Sequence, residues 1–273
     1  MTSRFAPVHL VIGTALVLAL AGCGAPLSEN WSGYKHTVVP PEDGGSAPVG
    51  SANLQPSQEP GSGTAPARVA PDCSAVKCVA LTFDDGPGIY TPELLKILDD
   101  YDAKATFFLI GENVAKHPQT VKDEVSAGHE IGNHTWSHKD LTKMSVSAAQ
   151  RDLKKTDDAI EKAIGEKPTL VRPPFGAIPP SLKKALAVPI ALWNVDTLDW
   201  KTRDTKKTIN NAEQTMPGSI VLMHDIHEST IKAVPSILKD LKAQDYHFVT
   251  VTELIGHPNP GIGYGMGQYP GKK

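Results

Sequence analysis

The chain has 273 residues, of which 40% are hydrophobic and 21% charged, with a net charge of −3 and three cysteines. That composition belongs to a globular protein with enough apolar side chains for a sizeable core. It gives no reason to expect a nucleic-acid partner, and the cysteines are too few for a thiolate zinc site.

The amino terminus reads as an export signal. Arg4 precedes an apolar segment from about Val8 to Leu20, too short to span a bilayer comfortably, which meets Leu20-Ala21-Gly22-Cys23. Leu-Ala-Gly-Cys after an apolar region resembles the bacterial lipobox, whose cysteine is acylated and becomes the first mature residue. Residues 1–22 are therefore expected to be a signal peptide and Cys23 the lipidation site. The expected location is the outer face of a bacterial cell membrane, held through the lipid. With Cys23 occupied, Cys73 and Cys78 are left to pair as a disulfide.

Residues 23–70 are rich in Pro, Gly, Ser and Ala, as in Pro40-Pro41-Glu42-Asp43-Gly44-Gly45 and Gly61-Ser62-Gly63-Thr64-Ala65-Pro66, without apolar periodicity. Such a segment cannot bury enough surface to offset ordering and is expected to be a disordered tether, with an end-to-end distance of roughly 40 Å.

From Val76 onward short apolar runs alternate with helical patterns. Strands are predicted at Val79 to Phe83, Ala105 to Ile110, Glu130 to Asn133, Thr169 to Val171, Ile190 to Val195, Ser219 to Met223 and Phe248 to Val251. Helices are predicted at Pro92 to Tyr101, Pro118 to Ala127, Ser147 to Ile164, Ser181 to Leu186, Thr205 to Thr215 and Thr230 to Ala243, the first with Thr91 as N-cap. Strict alternation implies parallel strands joined by crossover helices, and about seven such units suit an α/β barrel. The catalytic domain is expected to span 71–257, and the Gly-rich residues 258–273 to form a flexible tail. No sustained heptads are present, so a monomer is expected.

Polar clusters recur where these strands end. The first is Asp84-Asp85, after the run Val79 to Phe83 and before Gly86-Pro87; alone it reads as a solvated acidic turn, since Asp and Gly are ordinary turn residues. Neighbouring side chains on a strand point to opposite faces, so two adjacent acids share a cavity only where the strand breaks. The second is His134-Thr135-Trp136-Ser137-His138. Two histidines four apart share a side of a helical turn, and with a strand-end aspartate they make a donor set that leaves a metal position open. The third is Arg172-Pro173-Pro174-Phe175-Gly176, where two prolines lack amide donors and Phe175 carries the first free N–H. Arg172, ending a buried strand, needs an acidic partner. The fourth and fifth are Asp196-Thr197-Leu198-Asp199-Trp200 and Leu222-Met223-His224-Asp225-Ile226-His227.

These five clusters, in this order, resemble the five motifs of the polysaccharide deacetylases with a NodB homology domain, carbohydrate esterase family four; the resemblance runs from about Val76 to Gly256. It implies a distorted (β/α) barrel and metal-dependent removal of acetyl groups from a polysaccharide. By resemblance Asp84 is the general base, held by Arg172, and Asp85, His134 and His138 bind the metal. His224 is the general acid tuned by Asp199. The Phe175 amide stabilises an oxyanion, and Trp200 with Leu222 forms an apolar groove for the acetyl methyl. Phe175 stands where many members have Tyr, which leaves a backbone contact untouched. His227, if it acts at all, is expected to meet substrate at the rim. Zinc is the expected metal, with cobalt, nickel or manganese accepted by the same ligands.

Among the family's substrates, the runs around Trp193 to Lys201 and Gly218 to His227 look most like the branch acting on N-acetylglucosamine in peptidoglycan, which also suits a tethered cell-wall enzyme. Chitooligosaccharide deacetylation and acetyl xylan ester hydrolysis are the enzymatic alternatives, and an inactive wall-glycan-binding module is the non-enzymatic one.

Overall fold

The computed structural model describes residues 69–270, within the compact unit Gly63–Lys273. The signal segment, Cys23 and the tether up to residue 68 lie outside the described residues. No helix among the described residues is long and apolar enough to cross a membrane.

In chain order the elements are β1 (Cys78–Asp84), α1 (Thr91–Asp100), β2 (Ala105–Leu109), α2 (Gly111–Lys116), α3 (Pro118–Ser126), β3 (Glu130–Asn133), α4 (Val146–Ile164), α5 (Pro180–Ala185), β4 (Ile190–Ala191), β5 (Val195–Asp196), α6 (Asp199–Thr202), α7 (Thr205–Ala212), β6 (Ser219–His224), α8 (Glu228–Ala243), β7 (His247–Phe248), α9 (Val251–Ile255) and β8 (Gly263–Tyr264). Every ladder between them is parallel, with the order β3-β2-β1-β6-β5 and β7 beside the start of β1.

The sheet curves into a distorted barrel whose pairing is not continuous. Past β3 it is carried by Val171, which bridges Asn133 on one side and Ile190 on the other. The predicted strand Thr169 to Val171 is thus a single bridging residue, because the prolines at 173 and 174 have no N–H with which to extend a ladder. The predicted strand Ile190 to Val195 is split into β4 and β5. Between them the Leu192 carbonyl turns to Arg172 and the Leu192 amide to Tyr264, while the Asn194 side chain pairs with Ile220.

Alternation along the strands separates two cores. Leu81, Phe83, Phe107, Val221 and Met223 face the helices, packing on Leu94, Leu98, Val234 and Leu238. Ala80, Phe108, Leu170, Ala191 and Ile220 face inward with Val249 and Leu254. Gly132 is required on that inner face: a Cβ there would stand 2.4 Å from the Phe108 ring.

Two further expectations are corrected. Thr91 is the first residue of α1, not its cap; its hydroxyl accepts from the Gly88 amide at 2.8 Å and donates to Asp225. The carboxyl-terminal segment, expected to be a flexible tail, is hydrogen-bonded over its described part. Tyr264 in β8 pairs with Ala191, Met266 bridges Ser219, and the Gln268 amide donates to Leu254. Glycines at 218, 261 and 267 allow this close backbone approach, which their abundance alone did not reveal.

Cys73 and Cys78 form a disulfide with both residues buried, closing the segment that leads into β1.

Candidate active site

β1 and β6 run side by side in register, so Asp84 lies opposite His224 and Thr82 opposite Leu222, all four on the inner face. Asp85, just beyond the strand, has a φ of 73°, and this left-handed turn brings the second carboxylate to the same end of the barrel as the first. The turn is packed from below by Asp225, whose carboxylate lies where a Cβ on Gly86 would be, 2.6 Å from Oδ1. Asn113 of α2 ties the Asp85 carbonyl at 2.8 Å.

Arg172 is wholly buried. Its Nη1 donates to Asp84 Oδ1 and to the Thr82 hydroxyl, each at 2.7 Å, while Nε and Nη2 donate to the carbonyls of Ala191 and Leu192. The Phe108 ring lies 4.0 Å from the guanidinium carbon. A charge in this setting is tolerable because its donors meet acceptors and one of these is a carboxylate.

His134 and His138 come from a loop, not the helical turn that their spacing predicts; Thr135 and His138 both have positive φ, 68° and 55°. Asn133 accepts from the Thr135 amide at 2.7 Å and itself donates to Leu153 and Asp157 of α4, and Asp152 accepts from the Trp136 amide. His134 Nδ1 meets the Arg172 carbonyl at 2.7 Å, which places its proton there and leaves Nε2 as a free lone pair. Burial pushes His134 below the ordinary histidine value, against the pull of Asp84 and Asp85.

Asp85 Oδ1 lies 3.5 Å from Nε2 of both histidines and has no hydrogen-bond partner. A buried carboxylate oxygen without a donor is costly, whereas a cation among these three atoms satisfies it. Ligand atoms at roughly 2.0–2.2 Å from a tetrahedral ion stand roughly 3.3–3.6 Å apart, so the set fits a divalent cation. Among the described residues it is the one group of three acidic, histidine or cysteine side chains close enough to do so.

His224 faces this centre from β6. Asp199 receives its Nδ1 at 2.9 Å and its backbone amide at 2.7 Å, and is held in turn by the Thr230 hydroxyl and the Trp200 amide. Burial alone would lower His224, but the Asp199 hydrogen bond and charge, with Asp84 and Asp85 beyond, prevail and raise it to about 9. His224 is thus an imidazolium at neutral pH.

Phe175 has a φ of 61°, and its amide has no acceptor among the described residues. Its exposed ring stands edge-on to His138, with centroids 4.9 Å apart. Trp200, 46% exposed, follows Asp199, and Leu222 is buried on the strand face of His224, so each flanks the Asp199–His224 pair. His227 stacks on His224 at 5.8 Å between centroids.

Sequence reasoning assigned no role to Thr82 or Asp225, although both lie inside quoted motifs, nor to Asn133, Asp152, Asn113 or Thr230. The last three sit in helices with nothing in their spacing to mark them.

The family profile described as polysaccharide deacetylase matches residues 72–188. A peptidoglycan-N-acetylglucosamine deacetylase of Listeria monocytogenes is 42% identical over 191 residues, covering 68% of this chain and 40% of that protein. A peptidoglycan-N-acetylmuramic acid deacetylase of Bacillus subtilis is also 42% identical, over 65% of this chain and 38% of its own length. The chain thus spans about two fifths of these curated relatives. A solved structure described as T48 deacetylase with substrate superposes with a TM-score of 0.70 at 48% identity, covering 71% of this chain and all of that one. The chain belongs to the polysaccharide deacetylase family.

Proposed function

We propose that the protein is a metal-dependent hydrolase that removes the N-acetyl group from N-acetylglucosamine residues of peptidoglycan and releases acetate. The observation that carries this reading is the meeting of three units at one end of the barrel: the Arg172–Asp84 pair, the Asp85, His134 and His138 donor set, and the Asp199–His224 pair.

A divalent cation held by Asp85, His134 and His138, zinc in our reading, with cobalt, nickel or manganese as other occupants, would polarise the acetamide carbonyl and acidify the attacking water. Asp84 takes the proton of that water as its oxygen bonds to the carbonyl carbon. Arg172 supplies the counter-charge of Asp84 and fixes its direction. The Phe175 amide donates to the oxyanion, a contact of about 3 kcal/mol per donor in comparable sites. His224 gives its Nε2 proton to the sugar nitrogen as the carbon–nitrogen bond breaks, and Asp199 stabilises the imidazolium beforehand. Trp200 and Leu222 border the acetyl methyl. Acetate and a free amine result.

The Bacillus relative, at the same 42% identity, favours a second reading in which the acetyl group is on N-acetylmuramic acid of the same polymer. Anchoring by a lipid on Cys23 at the outer face of the cell membrane is part of the proposal, and loss of labelled palmitate in Cys23→Ala tests it.

The deciding experiment is acetate release by the full chain from isolated peptidoglycan, N-acetylglucosamine oligomers and acetylated xylan, after chelation and reloading with zinc or cobalt. Metal-restored release from peptidoglycan, with free amine appearing on glucosamine, supports the reading; amine on muramic acid moves it to the second. Release from xylan alone replaces it with an esterase. No release with any metal leaves a glycan-binding module. Asp84→Asn should abolish turnover, by at least about a hundredfold, while the protein still takes up one metal ion.

A further inference from the structure

The rim beside the general acid holds a pair that the mechanism above does not use. Arg203, just past α6, is fixed in a left-handed backbone conformation with a φ of 49°. Its Nε donates to the Trp200 carbonyl at 2.9 Å and its Nη1 meets Nδ1 of His227. Arginine offers donors only, so His227 Nδ1 accepts and the imidazole proton sits on Nε2. The backbone of Ile226 engages the imidazole as well, and His227 is only 7% exposed. Burial and the Arg203 charge both hold this imidazole below its ordinary value, so it is neutral beside the charged His224.

Arg203 itself is exposed, and among the described residues no carboxylate lies within ion-pairing distance of it. Its guanidinium is therefore oriented by two hydrogen bonds yet has no counter-charge, one imidazole ring away from His224. The polar atoms this pair turns outward are donors, above all the guanidinium hydrogens of Arg203 that neither Trp200 nor His227 takes up. A hydroxyl would leave the positive charge unmatched; the group that complements a cationic cluster of donors is a carboxylate.

We propose that Arg203 and His227 form a subsite for a carboxylate of the glycan, carried by the reacting sugar or its immediate neighbour. This rests on the deacetylase reading and deepens it. It makes the site one that distinguishes carboxylated peptidoglycan from neutral polymers of N-acetylglucosamine. Two carboxylates of that polymer share this chemistry, the lactyl group of muramic acid and the acidic residues of the stem peptide.

The test compares the metal-loaded full chain with Arg203→Met and Arg203→Lys on three substrates: neutral N-acetylglucosamine oligomers, peptidoglycan oligomers stripped of peptide, and the same oligomers with peptide. Both kcat/KM for acetate release and calorimetric Kd are measured. The wild type should prefer carboxylated over neutral substrate. Arg203→Met should reduce that preference roughly fivefold, through KM and Kd more than kcat, with partial recovery in Arg203→Lys and a similar reduction in high salt. An effect retained on peptide-free oligomers names the lactyl carboxylate, and one confined to peptide-bearing oligomers names the stem peptide. An equal loss on all three substrates overturns the subsite and makes Arg203 a positioning residue for His224. An unchanged preference also overturns it. The Kd comparison needs no turnover, so absence of acetate release from every substrate counts against the deacetylase reading while the subsite is still decided.

Discussion

Arg172 Nη1 and Asp84 Oδ1 are 2.7 Å apart, and neither side chain is more than 3% exposed. Two opposite charges removed from water to this degree depend on one another, since each without the other is a buried ion with no counter-charge. Arg172→Met should therefore destabilise the metal-free fold by about 3–5 kcal/mol in urea unfolding. The double variant Arg172→Met with Asp84→Asn should be more stable than Arg172→Met alone, because no isolated charge remains. If the two losses simply add, the pair is not coupled.

His224 supplies a pH signature. Its ordinary value of 6.5 is raised to about 9 in the folded chain, so the acid form persists through neutrality and activity should fall as pH rises toward that value. A cation bound at Asp85 offsets the help from Asp84 and Asp85, so the alkaline limb of the loaded enzyme should lie between about 6.5 and about 9. Asp199→Asn should move that limb down by about one to two pH units in a kcat/KM profile. The sign carries over to stability. Folding raises this pKa, so the contribution of the protonated imidazole is complete below about 6.5 and is lost as pH rises through about 9.

The unpartnered Asp85 oxygen predicts that metal stabilises the fold as well as enabling chemistry. Zinc at about a hundred times its Kd should add about 2.7 kcal/mol to unfolding free energy, read as a rise in Tm over the chelated protein. Asp85→Asn removes the charged ligand and should abolish most of that rise. An equal rise in this variant would place the metal elsewhere.

The Cys73–Cys78 disulfide closes a short loop, with a sequence separation of 5. Loop-closure entropy for so short a ring is small, so the Cys73→Ser, Cys78→Ser double variant should lose only about 2 kcal/mol of stability and keep its catalytic rate. A large loss of rate would mean that the start of β1 communicates with Asp84 at its other end.

Much of this architecture is legible in the chain. β1, β2 and β6 are apolar runs, β1, β3 and β6 end in polar clusters, and α1, α3, α4 and α8 follow helical periodicity closely enough that their ends move by one or two residues. The parts that elude sequence are those in which single hydrogen bonds replace a repeating pattern. Leu192 and Asn194 interrupt a continuous apolar run because their partners are Arg172, Tyr264 and Ile220, none of them local. Thr250 looks like the middle of a last strand, yet its side chain and that of Glu253 form a capping box that starts α9, a signal present in the spacing Thr-x-x-Glu. At the site, the two histidines are brought together by an Asn133-supported loop, whose positive φ angles no periodicity encodes. The side chains that meet at this end of the barrel could be named from the motifs; the buried scaffold of Thr82, Asn133, Asp225 and Thr230 around them could not.

The hydrogen bonds of the carboxyl-terminal segment have a mechanical consequence. Gly218 donates to Cys78 and receives from Gly267, so the disulfide, the base of β1 and the last described residues are laced together at the amino ends of the strands. Asp84 and His224 lie at the opposite ends of β1 and β6. A pull or a fused partner at either end of this domain therefore loads its stapled base and leaves the mouth clear, so the domain can be immobilised or joined to another through either end without obstructing the face that holds Asp84 and His224.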